Sequence, residues 1–266
     1  NIPVSLTANI PYPNITVTPD SLNEYLFYGD SSVQTLTITN DGVADLDWNM
    51  NILDYGRDGT SYTFTNCGQE GRYGPDQDQC DSTYAVTGLE GQVTLNDGIQ
   101  EWVVPQNGTY TIESFGAEGG GSFWVHGYGA RMSGVFDFNA GEVINIAIGQ
   151  MGETHQSGDS GGGGGGGATF VVKDDIPLLV SGGGGGAHYY QETSGIDGQI
   201  TTYGLANPST GSGYTSGSGG GFYSDGINGN SGSTGGLSWF NSLVGGQHAT
   251  DGGSHWSRGD GGFGGG

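Results

Sequence analysis

Apolar and polar residues alternate with a period of two through much of the first 52 residues. This alternation is typical of short β-strands with one buried face. In the clearest run, 33–39, Leu36 and Ile38 alternate with Val33 and threonines, and similar segments begin at Ile15, Leu26 and Leu46. Turn signals separate the segments at 19–20, 29–30 and 40–42. The pattern predicts a small β module over residues 14–55.

A second series of short alternating segments follows in the longer, glycine-rich part of the chain. Long segments with helical periodicity are missing from the sequence, so the chain belongs to the all-β class. The predicted strands of this part are 100–104, 110–112, 135–138, 143–148, 169–172 and 178–180.

Residues 14–55 resemble the Ig-like modules of secreted bacterial proteins, in the words ITVTPDSL and SSVQTLTITNDGVADLDWNM. Such modules run to about 100 residues, so this one is truncated. A half-sandwich exposes an apolar face and an unpaired edge, which another segment must cover. Either a neighbouring subunit completes it by strand addition, or its strands pack on the glycine-rich part of the same chain.

Residues 1–13, NIPVSLTANIPYP, have the character of an arm that could donate such a strand. Their apolar residues alternate and prolines punctuate them, as in strands at the edge of a sheet. The predicted contacts of this assembly arm are Ile2, Val4, Leu6 and Ile10.

Two uninterrupted glycine runs frame a short apolar segment at 168–181, in a chain with 58 glycines. The runs are Gly161, Gly162, Gly163, Gly164, Gly165, Gly166 and Gly167, and then Gly182, Gly183, Gly184, Gly185 and Gly186. We expect polyproline-II-like helices with three residues per turn, whose amides bond sideways because such helices lack internal hydrogen bonds. Only glycine lets neighbours approach on every side, so several such helices can pack as a bundle. The competing interpretation is a flexible Gly/Ser linker.

From about residue 60 onward, the chain resembles the glycine-rich region of the anaplastic lymphoma kinase and leukocyte tyrosine kinase receptors. The resemblance lies in FTNCGQEGRYGPDQDQC, GIQEWVVPQNGTYTIESFGAEGG, GYGARMSGVFDFNAGEVINIAIGQMG, GGGGGGGATFVVKDDIPLLVSGGGGG and GGGFYSDG. It implies a jelly-roll-like, tumour-necrosis-factor-like β-sandwich with an inserted bundle of polyglycine helices, and in those receptors the region binds small protein cytokines. The predicted domains are therefore an arm at 1–13, a partial Ig-like module at 14–55 and a glycine-rich sandwich at 60–266.

The charge balance narrows the range of partners. Five Lys and Arg residues against 28 Asp and Glu residues give a net charge of −23, which repels nucleic acids and anionic lipid surfaces. No apolar run reaches the roughly 20 residues of a membrane span, so no membrane insertion is predicted. The acidic residues are scattered through turns rather than set at EF-hand spacing, so calcium binding is possible but no motif demands it, and no cofactor is predicted.

The two cysteines, Cys67 and Cys80, lie at the ends of a turn-rich segment that could close on itself. A disulfide there would stabilise the fold by about 3 kcal/mol and indicates a secreted or cell-surface protein in an oxidising compartment. CxxC spacing and clustered histidines are both absent from the sequence, so no metal ligands are predicted.

The sequence contains one string that resembles part of a catalytic motif, but no complete motif. Residues 158–162 spell GDSGG, the string around a protease nucleophile, and place Ser160 in that position. The histidines at His126 and His155 lack the protease context, and no P-loop or HExxH string is present. We therefore predict no catalytic residues and no enzyme activity.

Aromatic residues are concentrated in the glycine-rich part. Most are expected to wall the polyglycine bundle, which has no side chains of its own to bury. Four have His or Ser neighbours and are predicted as exposed contact residues: Tyr189, Tyr190, Trp239 and Trp256.

These features favour a non-enzymatic extracellular structural protein, a subunit that polymerises with copies of itself by β-strand complementation through the N-terminal region. The alternative is an extracellular adhesin or binding module that recognises a protein or glycan on a cell surface or host. The arm supports the first interpretation, and the exposed aromatics and the resemblance support the second.

Overall fold

The computed structural model describes residues 14–18, 33, 35–44, 61–121, 126–154, 162–187, 195–200, 218–229, 232–248 and 259–266. The chain divides into two compact units, Asn1–Asp54 and Tyr55–Gly266. We call them the strand-pair unit and the glycine-rich unit.

In the strand-pair unit, β1 (Ile15–Thr18) pairs antiparallel with β2 (Thr37–Asn40). Both strands lie where the alternation predicts them, although β2 is shorter than the 33–39 pattern. Directly paired residues share a face, so one face carries Ile15, Val17 and Ile38 and the other carries four threonines. The predicted strands at Leu26 and Leu46, and the arm residues Ile2, Val4, Leu6 and Ile10, lie outside the described residues.

The strands of the glycine-rich unit form two layers. They are β3 (Val93–Asn96), β4 (Ile99–Val103), β5 (Gly108–Phe115), β6 (Arg131–Phe138), β7 (Val143–Ala147), β8 (Thr169–Lys173) and β9 (Ile176–Ser181). Among the described residues, β3-β4-β7-β8-β9 form a five-stranded antiparallel sheet and β5-β6 a separate pair. The chain leaves the large sheet after β4, builds β5 and β6, and returns as β7 beside β4. The all-β sandwich predicted from the sequence is confirmed.

Both faces of the large sheet are covered, which explains why β8 is an unbroken apolar run. On one face Trp102, Ile144 and Val171 pack with residues of β5, β6 and a short helix. On the other face, a second core contains Ala147, Phe170, Val172, Phe222, Trp239, Leu243 and Phe263. Three described aromatics of the C-terminal segments, Phe222, Trp239 and Phe263, thus seal this face of the sheet. The sequence analysis instead places most aromatics around the polyglycine bundle, and the described Tyr128, Tyr223 and Phe240 are exposed.

The helix α1 (Gln77–Tyr84) occupies a segment that the sequence analysis treats as turns. Its start is a capping box: Asp76 accepts a hydrogen bond from the Gln79 amide, and the Gln79 side chain accepts one from the Asp76 amide. The disulfide joins Cys80 on this helix to Cys67, with Cα atoms 4.9 Å apart. The predicted cysteine pairing is confirmed.

The first glycine run bonds sideways to its neighbours with a period of three. Gly163 and Gly166 donate to the carbonyls of Ala187 and Gly184, at 2.9 and 2.8 Å. Their successors Gly164 and Gly167 donate in another direction, to Glu153 and Gln150, at 3.0 and 2.9 Å. Two residues three apart therefore face the same neighbour, as in a helix with three residues per turn.

The carbonyls of the same run follow the same period. Those of Gly164 and Gly167 accept from Gly120 and Ala117, and those of Gly162 and Gly165 accept from Gly259 and Gly262. The run is thus enclosed by four other segments, which confirms the polyglycine-II bundle for the described glycines. Gly161 lies outside the described residues.

Candidate ligand-binding surface

Two open pockets lie side by side against the turn between β3 and β4, and Asp97 and Ser242 line both of them. The first, of about 540 Å³, is lined by Asn96, Asp97, Ile99, Leu237, Trp239, Phe240, Asn241 and Ser242. We call it the aromatic pocket. The second, of about 520 Å³, extends past Tyr73 and Asp76 to Phe263.

The sequence Asn-Asp-Gly places Asp97 at the shared rim. Asp97 and Gly98 both have positive φ, 49° and 81°, and connect strands in which Asn96 pairs with Ile99. Two such residues in a two-residue hairpin are typical of a type I′ turn, for which Asp-Gly is a preferred sequence. The turn fixes a carboxylate at the edge of the aromatic pocket.

The opposite wall is the loop around a short 3-10 turn, Trp239–Asn241. The Leu237 amide donates to Val244 at 2.8 Å and the Leu243 amide to Ser238 at 3.1 Å, so the loop closes on itself. Ser242 and Leu243 follow the turn with φ of 71° and 56°. For residues other than glycine this conformation is strained by roughly 1–2 kcal/mol, and burial of Leu243 in the second core holds it.

Asp225 ties this loop to the preceding glycine-rich segment. Its carboxylate accepts hydrogen bonds from the Asn241 side chain, at 2.8 and 2.9 Å, and from the Ser238 amide at 2.7 Å. The Asn241 contact, followed by the Ser238 contact, holds the pKa of Asp225 below its ordinary value. The carboxylate is therefore ionised at neutral pH and orients the residues that carry Phe240.

Two exposed aromatic rings rest on one buried ring at this site. Phe222 is buried, and its ring centroid lies 4.9 Å from that of Tyr223 and 5.3 Å from that of Phe240. The side chains of Tyr223 and Phe240 remain 78% and 56% exposed. We call this pair the aromatic platform. Phe222 also stacks on Trp239 at 5.7 Å, which anchors the platform to the core.

The structure corrects one predicted contact residue. Trp239 is only 7% exposed and packs against Phe170 and Phe222, because its ring fills the second core. The prediction of an exposed Trp239 is therefore wrong. The other predicted contact aromatics, Tyr189, Tyr190 and Trp256, lie outside the described residues, as does Ser160.

The sequence does not predict the aromatic platform, because Phe222, Tyr223 and Phe240 all belong to the aromatics that are expected to wall the bundle. A usable signal was the pair of aromatic doublets, Phe222-Tyr223 and Trp239-Phe240. In each doublet the first ring enters the core and the second faces solvent.

The rim of the pockets is acidic. Asp97 lines both pockets and Asp76 lines the second, while neither described lining contains a lysine or arginine. Elsewhere in the glycine-rich unit, Glu153, His248 and Asp260 are the group of described residues that could hold a metal ion.

No protein-family model matches the chain. Over 107 residues it is 38% identical to the leukocyte tyrosine kinase receptor of Mus musculus. Part of the chain is thus related to part of a receptor. The match covers 37% of this chain and only 12% of the receptor, so the chain spans a small share of that protein's length. It supports, over this part, the resemblance deduced from the sequence.

The disulfide fits an extracellular location, because such bonds persist in oxidising compartments. Among the residues that the structure describes, no helix has the length and apolar character needed to span a bilayer.

Proposed function

We propose that the chain is an extracellular, non-enzymatic binding module that holds a protein ligand on its aromatic platform. The observation that carries this proposal is the pair of exposed rings, Tyr223 and Phe240, supported by the buried ring of Phe222. Aromatic side chains are enriched at protein interfaces and dominate their binding energy.

Rigidity supports the proposal. Asp225 and the closed loop hold Phe240 in place before a ligand arrives, and Phe222 is packed into the second core. A preorganised surface loses little conformational entropy on binding, so more of the contact energy appears as affinity.

Charge defines the partner. The net charge of −23 and the carboxylates of Asp97 and Asp76 at the pockets favour a basic protein ligand. A lysine or arginine of that ligand can lie over an exposed ring while it faces Asp97. The partial similarity to a protein named a receptor agrees with a role in binding.

Selection from a displayed peptide library, scored for lysine and arginine content, followed by biolayer interferometry, tests the proposal. We expect basic peptides to be selected, and Phe240→Ala and Tyr223→Ala to weaken their binding by about tenfold or more, the level of an interface hot spot. Tyr128→Ala is the matched control, since Tyr128 is also exposed but lines neither pocket. Equal loss in the control, or unaltered binding by both platform variants, would refute the proposal.

Asp97→Asn tests the role of the carboxylate in binding without changing the turn. Asn-Gly also favours a type I′ turn, so this variant keeps the hairpin and removes the carboxylate. It should slow association with basic peptides, mainly at low ionic strength. If salt and the substitution both leave association unchanged, the ligand is not recognised by charge.

A second candidate, assembly into a filament by strand complementation, has its own supporting observation. On the apolar face of the β1–β2 pair, Ile15 and Val17 are 51% and 43% exposed. A two-stranded ribbon is marginally stable by itself, so another strand or chain covering this face would stabilise it. A copy of the same chain, with residues 1–13 as the donated strand, is the proposed partner.

Light scattering and electron microscopy test the filament. Val17→Lys places a charge on the apolar face, whereas Thr16→Lys places the same charge on the threonine face one residue away. Val17→Lys and deletion of residues 1–13 should each abolish polymers, and Thr16→Lys should not. A monomeric native protein would dismiss this candidate and leave the binding module standing.

A further inference from the structure

Three side chains from distant parts of the sequence converge at one edge of the polyglycine bundle. Glu153 follows the segment 149–152, His248 follows Gly245 and Gly246, and Asp260 begins the C-terminal glycine segment. Each offers one ligand atom, and these atoms all lie within 4.8 Å of one another.

The backbone of the bundle fixes the relative positions of Glu153 and Asp260. The Glu153 amide donates to the Asp260 carbonyl at 2.8 Å, and the Gly164 amide donates to the Glu153 carbonyl at 3.0 Å. In return, the Asp260 amide donates to Oε2 of Glu153 at 3.0 Å. Glu153 and Asp260 are therefore held side by side by hydrogen bonds that involve the backbone of both residues and the carboxylate of Glu153.

His248 is held against the same carboxylate. Its amide donates to Oδ1 of Asp260 at 2.7 Å, and its Nδ1 lies 2.6 Å from that atom. Arg72 is the nearby cation, with Nε 4.0 Å from Oδ2 of Asp260. With His248 in the neutral form that binds metals, Glu153 and Asp260 bring two negative charges and Arg72 one positive charge, so the group has a net negative charge that attracts cations.

The donor set selects the class of ion. Calcium and magnesium prefer oxygen ligands throughout, whereas an imidazole nitrogen beside carboxylates suits zinc and neighbouring transition metals. Glu153 is exposed while His248 and Asp260 are partly buried, so solvent can fill the remaining coordination positions.

The separations suit a small ion. Ligand atoms of a tetrahedral zinc site, with bonds of about 2.0–2.2 Å, stand roughly 3.4 Å apart. The His248–Asp260 pair, at 2.6 Å, must open slightly, and the widest separations, up to 4.8 Å, must close. The adjustment that binding requires is rotation of the exposed Glu153 side chain and of the His248 ring, because the backbone already brings the three residues together.

We infer that Glu153, His248 and Asp260 form a site for a divalent transition-metal ion of the zinc class. The ion would join three chain segments at the bundle edge and stabilise their packing, since an ion that binds only the folded state raises its stability.

The test uses the full chain, freed of metal with a chelator, and ZnCl₂ or CaCl₂ as the titrant in calorimetry and thermal unfolding. We expect zinc to bind and raise the melting temperature, and calcium at the same concentration to do neither. Glu153→Gln keeps an oxygen that accepts from the Asp260 amide but removes the charged ligand. It should weaken one zinc-binding event by about tenfold or more, and His248→Gln should do the same.

Glu118→Gln is the matched control. Glu118 also pairs with a histidine, His126, at 2.8 Å, but the described residues add no third ligand there. This variant should bind zinc like the native chain. The inference is wrong if zinc does not bind, or if Glu153→Gln and His248→Gln bind it as tightly as Glu118→Gln does. The three residues would then only link chain segments by hydrogen bonds.

Discussion

The amide of Gly166 donates a hydrogen bond to the carbonyl of Gly184 at 2.8 Å. The two glycines belong to different runs, so the bond joins two polyglycine helices directly. The carbonyls of Ala117 and Glu118 stand where a side chain of residue 166 would begin. No side chain fits at this position, so any residue larger than glycine would overlap these two carbonyl oxygens.

Gly166→Ala should therefore destabilise the glycine-rich unit severely, by about 3 kcal/mol or more, since a Cβ would overlap backbone that cannot move independently. The neighbouring substitution Gly165→Ala is the control, because the nearest atom to its Cβ would be 3.5 Å away. It should be neutral, or stabilising by up to about 1 kcal/mol through the unfolded state. Chemical denaturation of both variants measures this, and equal stability would contradict the packing.

Tyr84 and Gln100 form a buried polar pair between α1 and β4. The Tyr84 hydroxyl donates to Oε1 of Gln100 at 2.6 Å, and Nε2 of Gln100 donates to the Thr65 carbonyl at 2.7 Å. Tyr84→Phe leaves the Gln100 oxygen without this donor and should cost about 1–3 kcal/mol. The exposed Tyr223→Phe should change unfolding free energy by less than about 0.5 kcal/mol.

The same pair predicts that the stability of the fold falls at alkaline pH. Burial raises the pKa of Tyr84 above its ordinary value of 10.0, despite opposing hydrogen bonds from Thr65 and Gln100. A folded-state pKa above the unfolded one contributes stability that is present below about pH 10 and is lost as the pH rises through the raised pKa. Denaturation at pH 8–11 should show a steeper loss for the native chain than for Tyr84→Phe, and parallel curves would contradict it.

Asp225 should make the binding surface sensitive to acid. Because folding lowers its pKa, Asp225 contributes stability that is complete above pH 3.8, its ordinary pKa. That stability is lost as the pH falls through the folded-state pKa. In Asp225→Ala, the Trp239 amide, which donates to Gly221 at 3.1 Å, should exchange with deuterium faster already at neutral pH. Mass spectrometry of that peptide measures the rate, and unchanged exchange would show that the loop does not depend on Asp225.

The disulfide should stabilise the glycine-rich unit by about 3 kcal/mol, as expected for the short loop that it closes. Replacing both Cys67 and Cys80 by alanine should lower the melting temperature by several degrees. A reducing agent should have the same effect on the native chain and none on the double variant. Cys80 is fully buried, so reduction should be slow until the protein unfolds.

Local pattern was sufficient for much of the fold. Alternation, or for β8 a short apolar run, identified β4 to β9, because each of those strands buries one or both faces against a neighbouring layer. It failed at α1, where eight polar-rich residues lack apolar periodicity. The capping box of Asp76 and Gln79, after Pro75, was the signal that could have revealed that helix.

The candidate sites were much less predictable. Trp239 and Phe240 are adjacent in sequence, yet one ring is buried and the other exposed. Glu153, His248 and Asp260 carry no recognisable spacing, because residues of three separate glycine-rich segments meet only after the bundle has packed. Histidine spacing along the chain therefore gave no indication of a metal site.

The sequence by itself determined that the chain is all-β, and it favoured a bridge between the two cysteines and laterally bonded helices in the glycine runs. These properties follow from local chemistry: alternation, a short loop between two thiols, and a residue type whose backbone can be approached from every side. The tertiary structure alone decided which aromatic rings seal the sheet and which carboxylates meet His248. Those outcomes depend on the order in which the segments lie in the bundle. Polyglycine segments have no side chains that could select particular neighbours, so their sequence does not predict that order.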